Sequence, residues 1–277
     1  MDSETQLPIP FIWYRFEQNV SIINNYGTTG QDHDARLHEG ASAGPNINPI
    51  GTASLSLRKN QDNSGQYLTI PPFSFVYPIT ISFWFKKESK GQYFTDIIDF
   101  SNTNNSDSQF LLAFTKKGNL WTFYDKKLYT ISDTNYCDNK WHHIVIAVDQ
   151  SNVNIFIDTD FIKRLPSFSF KNAYRNMNYI GSSYRGDDDS TINIADFRIY
   201  TVALTANDVL FLFNYYKLLY ISNTVSENDT SNTLNNRMKI FNELHMKAQS
   251  NSVIHYFIIV GLPVVLFMII ALILYLG

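Results

Sequence analysis

Alternation of apolar and polar side chains dominates the chain from Pro10 to Tyr220. It is clearest in Ile79–Lys86, where Ile79, Ile81, Phe83 and Phe85 fall on one side and Thr80, Ser82, Trp84 and Lys86 on the other. A period of two predicts a strand with one face on a core. Trp141–Val148 is apolar on both faces, with Ile144, Ile146 and Val148 opposite Trp141, Val145 and Ala147, as a central strand of a two-layer fold should be. The polar turn Asp149–Asn152 joins it to Val153–Asp158, which turns Val153, Ile155 and Ile157 inward and Asn152, Asn154 and Asp158 outward. Shorter strands are expected at Phe11–Phe16, Ala53–Leu57, Tyr67–Ile70, Tyr93–Phe100, Gln109–Thr115, Asn119–Tyr124, Asn178–Ser182 and Thr191–Tyr200. Residues 17–52 show little periodicity and read as a long loop. Thr205 is placed to cap a short helix, with Asp208 in its first turn, where the helix dipole favours a carboxylate. Many short strands, one closing helix and no βαβ alternation predict an antiparallel β-sandwich over residues 1–220.

Beyond residue 220 the pattern changes twice. Residues 221–236 are rich in Ser, Thr, Asn and Asp and read as a polar linker. In 237–252, Met238, Phe241, Leu244 and Ala248 recur at helical spacing, which predicts a juxtamembrane amphipathic helix. Val253–Leu276 then carries no formal charge. At a rise of about 1.5 Å per residue, Phe257–Leu276 covers roughly 30 Å, the thickness of a bilayer's hydrocarbon core. A transmembrane helix is expected there, with the lipid bilayer as its partner. The first residues are acidic and lack an apolar run, so the head is expected on the cytosolic side, with Arg237, Lys239 and Lys247 flanking the span on that side.

Composition narrows the partners. A net charge of −3 in 277 residues gives no basic stripe, which argues against nucleic acid. Cys137 is the single cysteine, so no intrachain disulfide forms, in keeping with a reducing compartment.

Four stretches carry a family likeness: Ile79–Lys86, Trp141–Asp149, Val153–Asp158 and Ile194–Val209, the last reading Ile-Ala-Asp-Phe-Arg-Ile-Tyr-Thr-Val-Ala-Leu-Thr-Ala-Asn-Asp-Val. In this order they resemble the laminin-G-like branch of the concanavalin A-like lectin and glucanase jelly rolls, over about three quarters of the chain. The resemblance implies an all-β, two-sheet jelly roll closed by a short helix. Two positions depart from it: Thr159 stands where the family has a turn Gly, and Asp208 where it has Glu. The fold hosts lectins, glycosidases, adhesion modules and inert scaffolds, so the ligand stays open.

The candidate chemistry is sparse. Glycosidases need two carboxylates flanking a sugar bond. The glucanase motif Glu-x-Asp-x-x-Glu is absent, and unbroken alternation places Asp96 and Asp99 on opposite faces, so no enzyme is expected and no catalytic residue is assigned. His142 and His143 are adjacent on a strand, point opposite ways and cannot chelate one metal. Asp187, Asp188 and Asp189 cluster hard oxygen ligands before the closing strand, a candidate Ca²⁺ site and the one cofactor expectation. Trp84 and Trp121 are candidate platforms for a glycan. The leading expectation is a non-enzymatic, tail-anchored protein whose head docks a protein layer to a membrane. A minor capsid or membrane-associated virion protein in the internal membrane of a large DNA virus would fit. The alternative is a carbohydrate-binding lectin or attachment protein on a membrane surface.

Overall fold

The computed structural model describes residues 7–18, 20–44, 53–60, 65–90, 94–102, 109–166, 173–183 and 191–214. Chain contacts divide the molecule into Met1–Val209 and Leu210–Gly277. The first unit holds two eight-stranded sheets. In spatial order the first sheet runs β15 (Asp160–Pro166), β14 (Asn152–Ile157), β13 (Trp141–Val148), β8 (Ile79–Lys86), β18 (Ile192–Tyr200), β5 (Ser54–Leu57) and β4 (Ser42–Gly44), with β1 (Ile12–Tyr14) also on β18. The second runs β12 (Lys127–Thr130), β11 (Leu120–Tyr124), β10 (Phe110–Phe114), β9 (Thr95–Ser101), β17 (Met177–Ile180), β6 (Tyr67–Ile70), β3 (Ala35–His38) and β2 (Ile22–Ile23). A ribbon of β7 (Phe73–Phe75) and β16 (Ala173–Arg175) completes the strands. Neighbours in both sheets pair antiparallel, giving the sandwich that the alternation predicts.

Register explains the core. Phe83 lies opposite Ile144 and Ile81 opposite Ile146, so the apolar sides of β8 and β13 coincide. The sheets meet through aromatic rings: Phe85 of the first packs edge-on to Phe114 of the second at 5.5 Å, and Phe197 to Phe100 at 6.5 Å. The long loop expected over residues 17–52 instead contains β2, a 3₁₀ turn at Gly30–His33, β3 and β4. These strands are two to four residues long, too short for alternation to register, and are held by pairing to neighbouring strands.

Two irregularities bend the ladders. Between Leu112 and Ala113 the partner on β9 steps from Ile98 to Asp96, leaving Ile97 as the extra residue of a bulge. On β18 the register breaks between Ala195 and Arg198, and Asp196 there takes φ 49°. The closing helix spans residues 206–214. Its start is a reciprocal cap: the Asp208 backbone N–H donates to Thr205 Oγ1 at 3.3 Å, and the Thr205 N–H donates to Asp208 Oδ2 at 2.8 Å. Thr80 Oγ1 ties the turn before it to β8, donating to the Val202 carbonyl at 2.7 Å and accepting from the Leu204 N–H at 2.9 Å.

The linker, the amphipathic segment and Val253–Leu276 lie outside the described residues. Among the described residues, no helix is long and apolar enough to cross a membrane.

Candidate functional site on the outer face of the second sheet

The bulge at Ile97 decides which side chains share the outer face of the second sheet. Residues directly opposite across a ladder point the same way. Tyr179 pairs with Asp99, Asp99 with Leu111, Leu111 with Phe123 and Phe123 with Leu128. One step along, Asp96 pairs with Ala113, Ala113 with Trp121 and Trp121 with Thr130. The alternate residues Phe110, Leu112 and Phe114 belong to the core, so both rows lie on the outside. Asp96 and Asp99 therefore occupy one face, correcting the expectation from unbroken alternation. The extra residue restores to one side two positions that parity had separated.

The two carboxylates are nevertheless spent inside the protein. Asp99 is fully buried and accepts from Gln109 Nε2 at 3.0 Å, while Asp96 is 5 % exposed. The buried Arg175 guanidinium donates to the Phe100 carbonyl at 3.0 Å and lies over the Phe75 ring at 5.2 Å. Burial pushes Arg175 down to about 10, and the nearby Asp99 charge opposes that shift. Glycoside hydrolysis needs carboxylates that reach both sides of a sugar bond. A pair shut away like this holds the face together and offers no acid or nucleophile.

The accessible chemistry beside the carboxylates is aromatic. Trp121 is half-buried and meets Phe94 edge-on at 5.3 Å, and Phe94 is itself 44 % exposed. The Trp121 indole N–H is shielded and has no hydrogen-bond partner among the described residues, so it is the ring face and edge of Trp121 that the surface offers. On the other side of β9, Tyr67 stacks on His38 at 4.6 Å and meets Tyr179 at 5.8 Å. His38 donates to or accepts from Thr69 Oγ1 at 2.8 Å, and desolvation, aided by Arg36, lowers its pKa. The face thus carries aromatic groups on both flanks of a buried acidic centre, an arrangement suited to stacking against the apolar faces of sugar rings.

A family model described as the concanavalin A-like lectin/glucanases superfamily, of laminin-G type, matches residues 62–210, more than half of the chain. The chain belongs to this superfamily. No curated protein sequence matches it. Among solved structures, the binding domain of Paraclostridial Mosquitocidal Protein 1 shares 18 % identity at a TM-score of 0.58, over 75 % of this chain and 52 % of that one. A botulinum neurotoxin type C structure, described for cell entry dependent on two ganglioside molecules, shares 16 % identity at a TM-score of 0.58, over 75 % and 51 %. The binding domain of botulinum neurotoxin DC, solved with rat synaptotagmin II, shares 16 % at a TM-score of 0.56, over 75 % and 51 %. At such identities the likeness is one of fold, and the chain spans about half the length of these neighbours.

Within this concanavalin A-like sandwich the residues expected at a site separate sharply. Trp84, on β8, is 4 % exposed and stacks on the His143 ring at 5.0 Å. It offers no face to a sugar, because the outer side of the first sheet is buried too; alternation places a residue outward without saying whether that side is covered. Trp121 lies on the accessible aromatic flank. Asp187, Asp188 and Asp189 lie outside the described residues, and no metal-holding group of three or more ligands occurs among the described ones. His142 and His143 point to opposite faces. His143 is buried, with Nε2 2.9 Å from Ser82 Oγ, and burial drives its pKa down to about 3. That Ser–His pair is closed to any substrate. His142 lies between two carboxylates, Nδ1 2.6 Å from Asp158 Oδ2 and Nε2 3.1 Å from Asp138 Oδ1. Desolvation works against its charge, but the bonds to Asp158 and Asp138 prevail and raise its pKa. Sequence reasoning missed Phe94, His38, Tyr67 and Tyr179 as companions of Trp121; their common face follows only from the cross-strand register.

Proposed function

We propose that this chain is a non-catalytic binding module that recognises a glycan-bearing partner through the outer face of its second sheet. The observation that carries the reading is the register around Ile97, which gathers Trp121, Phe94, Tyr179 and Tyr67 around a buried carboxylate pair. Membership of a lectin and glucanase superfamily supports it, as do neighbours that are toxin binding domains. Buried carboxylates favour binding over hydrolysis. The apolar run Val253–Leu276 would tether the module to a bilayer.

The test is a glycan array probed with the full-length chain in a non-sugar detergent. Trp121→Ala should reduce binding at least tenfold without shifting the melting temperature by more than a few degrees. Retention of every array signal by Trp121→Ala and Phe94→Ala together would refute the site. Protease protection of intact membranes separates the tether's two consequences. A protected head directs the search toward a protein layer as partner, the arrangement expected of a capsid-docking role, whereas a digested head exposes the aromatic face to external glycans.

A further inference from the structure

The second sheet ends at an apolar corner. β12 is its last strand, and across the ladders Leu111 pairs with Phe123 and Phe123 with Leu128, a single row on the outer face. Leu128 is 62 % exposed and Phe123 half-buried, while Leu111 is buried at the inner end of the row. The neighbouring row holds Ala113, Trp121 and Thr130, and Phe94 lies against Trp121. No residue that β10, β11 and β12 contribute to these two rows is charged. Exposed Leu and Phe side chains gathered on one surface mark a place of contact.

Charge collects instead at the two turns that bound these strands. Lys116 and Lys117 lie in the turn from β10 to β11, and Lys126 and Lys127 at the turn from β11 to β12; all four are exposed, and Asp125 is the one carboxylate beside them. β11 is five residues long, so the two pairs stand roughly 17 Å apart, one at each end of the apolar rows. Asp96 and Asp99, which continue the rows onto β9, are buried and present no negative surface. An apolar centre between cationic ends matches the boundary between acyl chains and anionic headgroups. A second copy placed face to face would instead bring like charges together. The backbone limits how deep the corner can go. β12 has no further strand neighbour among the described residues, and unpaired N–H and C=O groups are not tolerated in hydrocarbon, so contact stops at the interface.

We infer that this corner docks on an anionic lipid surface. Leu128, Phe123 and Trp121 reach the acyl boundary, and Lys116, Lys117, Lys126 and Lys127 lie over the headgroups. The inference needs neither glycan recognition nor the apolar run Val253–Leu276.

The experiment places the full-length chain with phosphatidylcholine vesicles, with or without about 30 % phosphatidylserine; neither carries sugar. In a Cys137→Ser background, Thr130→Cys takes a nitroxide beside Leu128. Phe161→Cys takes one on the opposite face, because Phe161 pairs with Phe156 and Phe156 with Val145 on the outer side of the first sheet. Electron paramagnetic resonance reads each label's accessibility to a water-soluble nickel chelate. At position 130 it should fall at least threefold with phosphatidylserine and recover in about 1 M salt, while position 161 stays unchanged. Leu128→Asp alone, and Lys126→Glu with Lys127→Glu, change exposed side chains, should melt within a few degrees of the parent, and should each abolish the fall. The inference is overturned if position 130 stays equally accessible in both vesicles, or if the fall survives both sets of variants. Protection already present without lipid and growing with protein concentration would also overturn it, since a second copy would then cover the face.

Discussion

The His142 clasp makes a quantitative prediction. His142 is half-buried between Tyr136 and Phe85 and joins Asp138, in the segment before β13, to Asp158 at the end of β14. The bond to Asp158, at 2.6 Å, is charge-assisted, but the Asp158 carboxylate is 37 % exposed, so solvent screening limits it to about 1–1.5 kcal/mol. The bond to Asp138 is 3.1 Å long, its carboxylate is 31 % exposed, and Lys140 lies 3.8 Å from it, so solvent screening limits it to about 0.5 kcal/mol. His142→Gln should therefore destabilise the fold by about 1.5–2 kcal/mol at pH 5.5. Because the folded pKa of His142 is raised, its charged contribution is complete below the unfolded value near 6.5 and is lost as pH rises through the folded value. Neutral imidazole keeps one N–H, so one carboxylate then faces a lone pair. For Asp138, desolvation is outweighed by the bonds from His142 and Lys140, and its pKa falls; its share is lost at the acid end, as pH drops through that lowered value. Urea unfolding of parent and His142→Gln, followed by tryptophan fluorescence, gives the gap directly. It should shrink by about 1 kcal/mol between pH 5.5 and pH 8.5. A gap that is constant, or that widens with pH, would refute the clasp as a charged pair.

Other perturbations test the remaining features. His143 acts with the opposite sign. Its buried neutral form gives full stability above about 6.5 and loses it as pH falls toward about 3, so His143→Gln should flatten the acid limb of a stability profile. Asp158 and Thr159 form the two-residue turn between β14 and β15 with φ of 53° and 81°. Because a β-branched residue disfavours that region, Thr159→Gly should stabilise by about 0.5–1 kcal/mol in urea titration. Asp196→Ala should cost about 3–5 kcal/mol, since it removes the carboxylate 2.9 Å from buried Arg198 and 2.6 Å from the Trp13 indole nitrogen. Trp84→Ala should lower stability by about 3–5 kcal/mol, whereas Trp121→Ala should cost far less, a contrast readable from melting curves.

Sequence periodicity located the long strands well because β8, β13 and β18 each bury a continuous apolar side. It missed β2, β3 and β4, where two to four residues carry too little pattern and pairing alone defines the strand. The helix cap at Thr205 and Asp208 was legible because its chemistry is local. The site was legible only in part. Trp84 and Trp121 both read as candidate glycan platforms, and only the three-dimensional covering of the first sheet distinguishes them. Asp96 and Asp99 were assigned by parity, which a single bulged residue overturns. Tyr179 and Tyr67 join Trp121 through pairings between distant stretches, which no local reading contains.

The position of β18 has a consequence for the synthesis of the chain. β1, β5 and β8 each pair with it, so residues as early as Ile12 wait for Ile199 before they find a partner in the first sheet. At about 5–20 residues per second, a ribosome takes roughly 10–40 s to make the intervening stretch. During that interval the edges of β5 and β8 stand open to other chains, and a mutation in β18 such as Ile194→Asp would lengthen the exposure as well as weaken the product. Its predicted signature is aggregation in cells out of proportion to the stability lost by the purified protein.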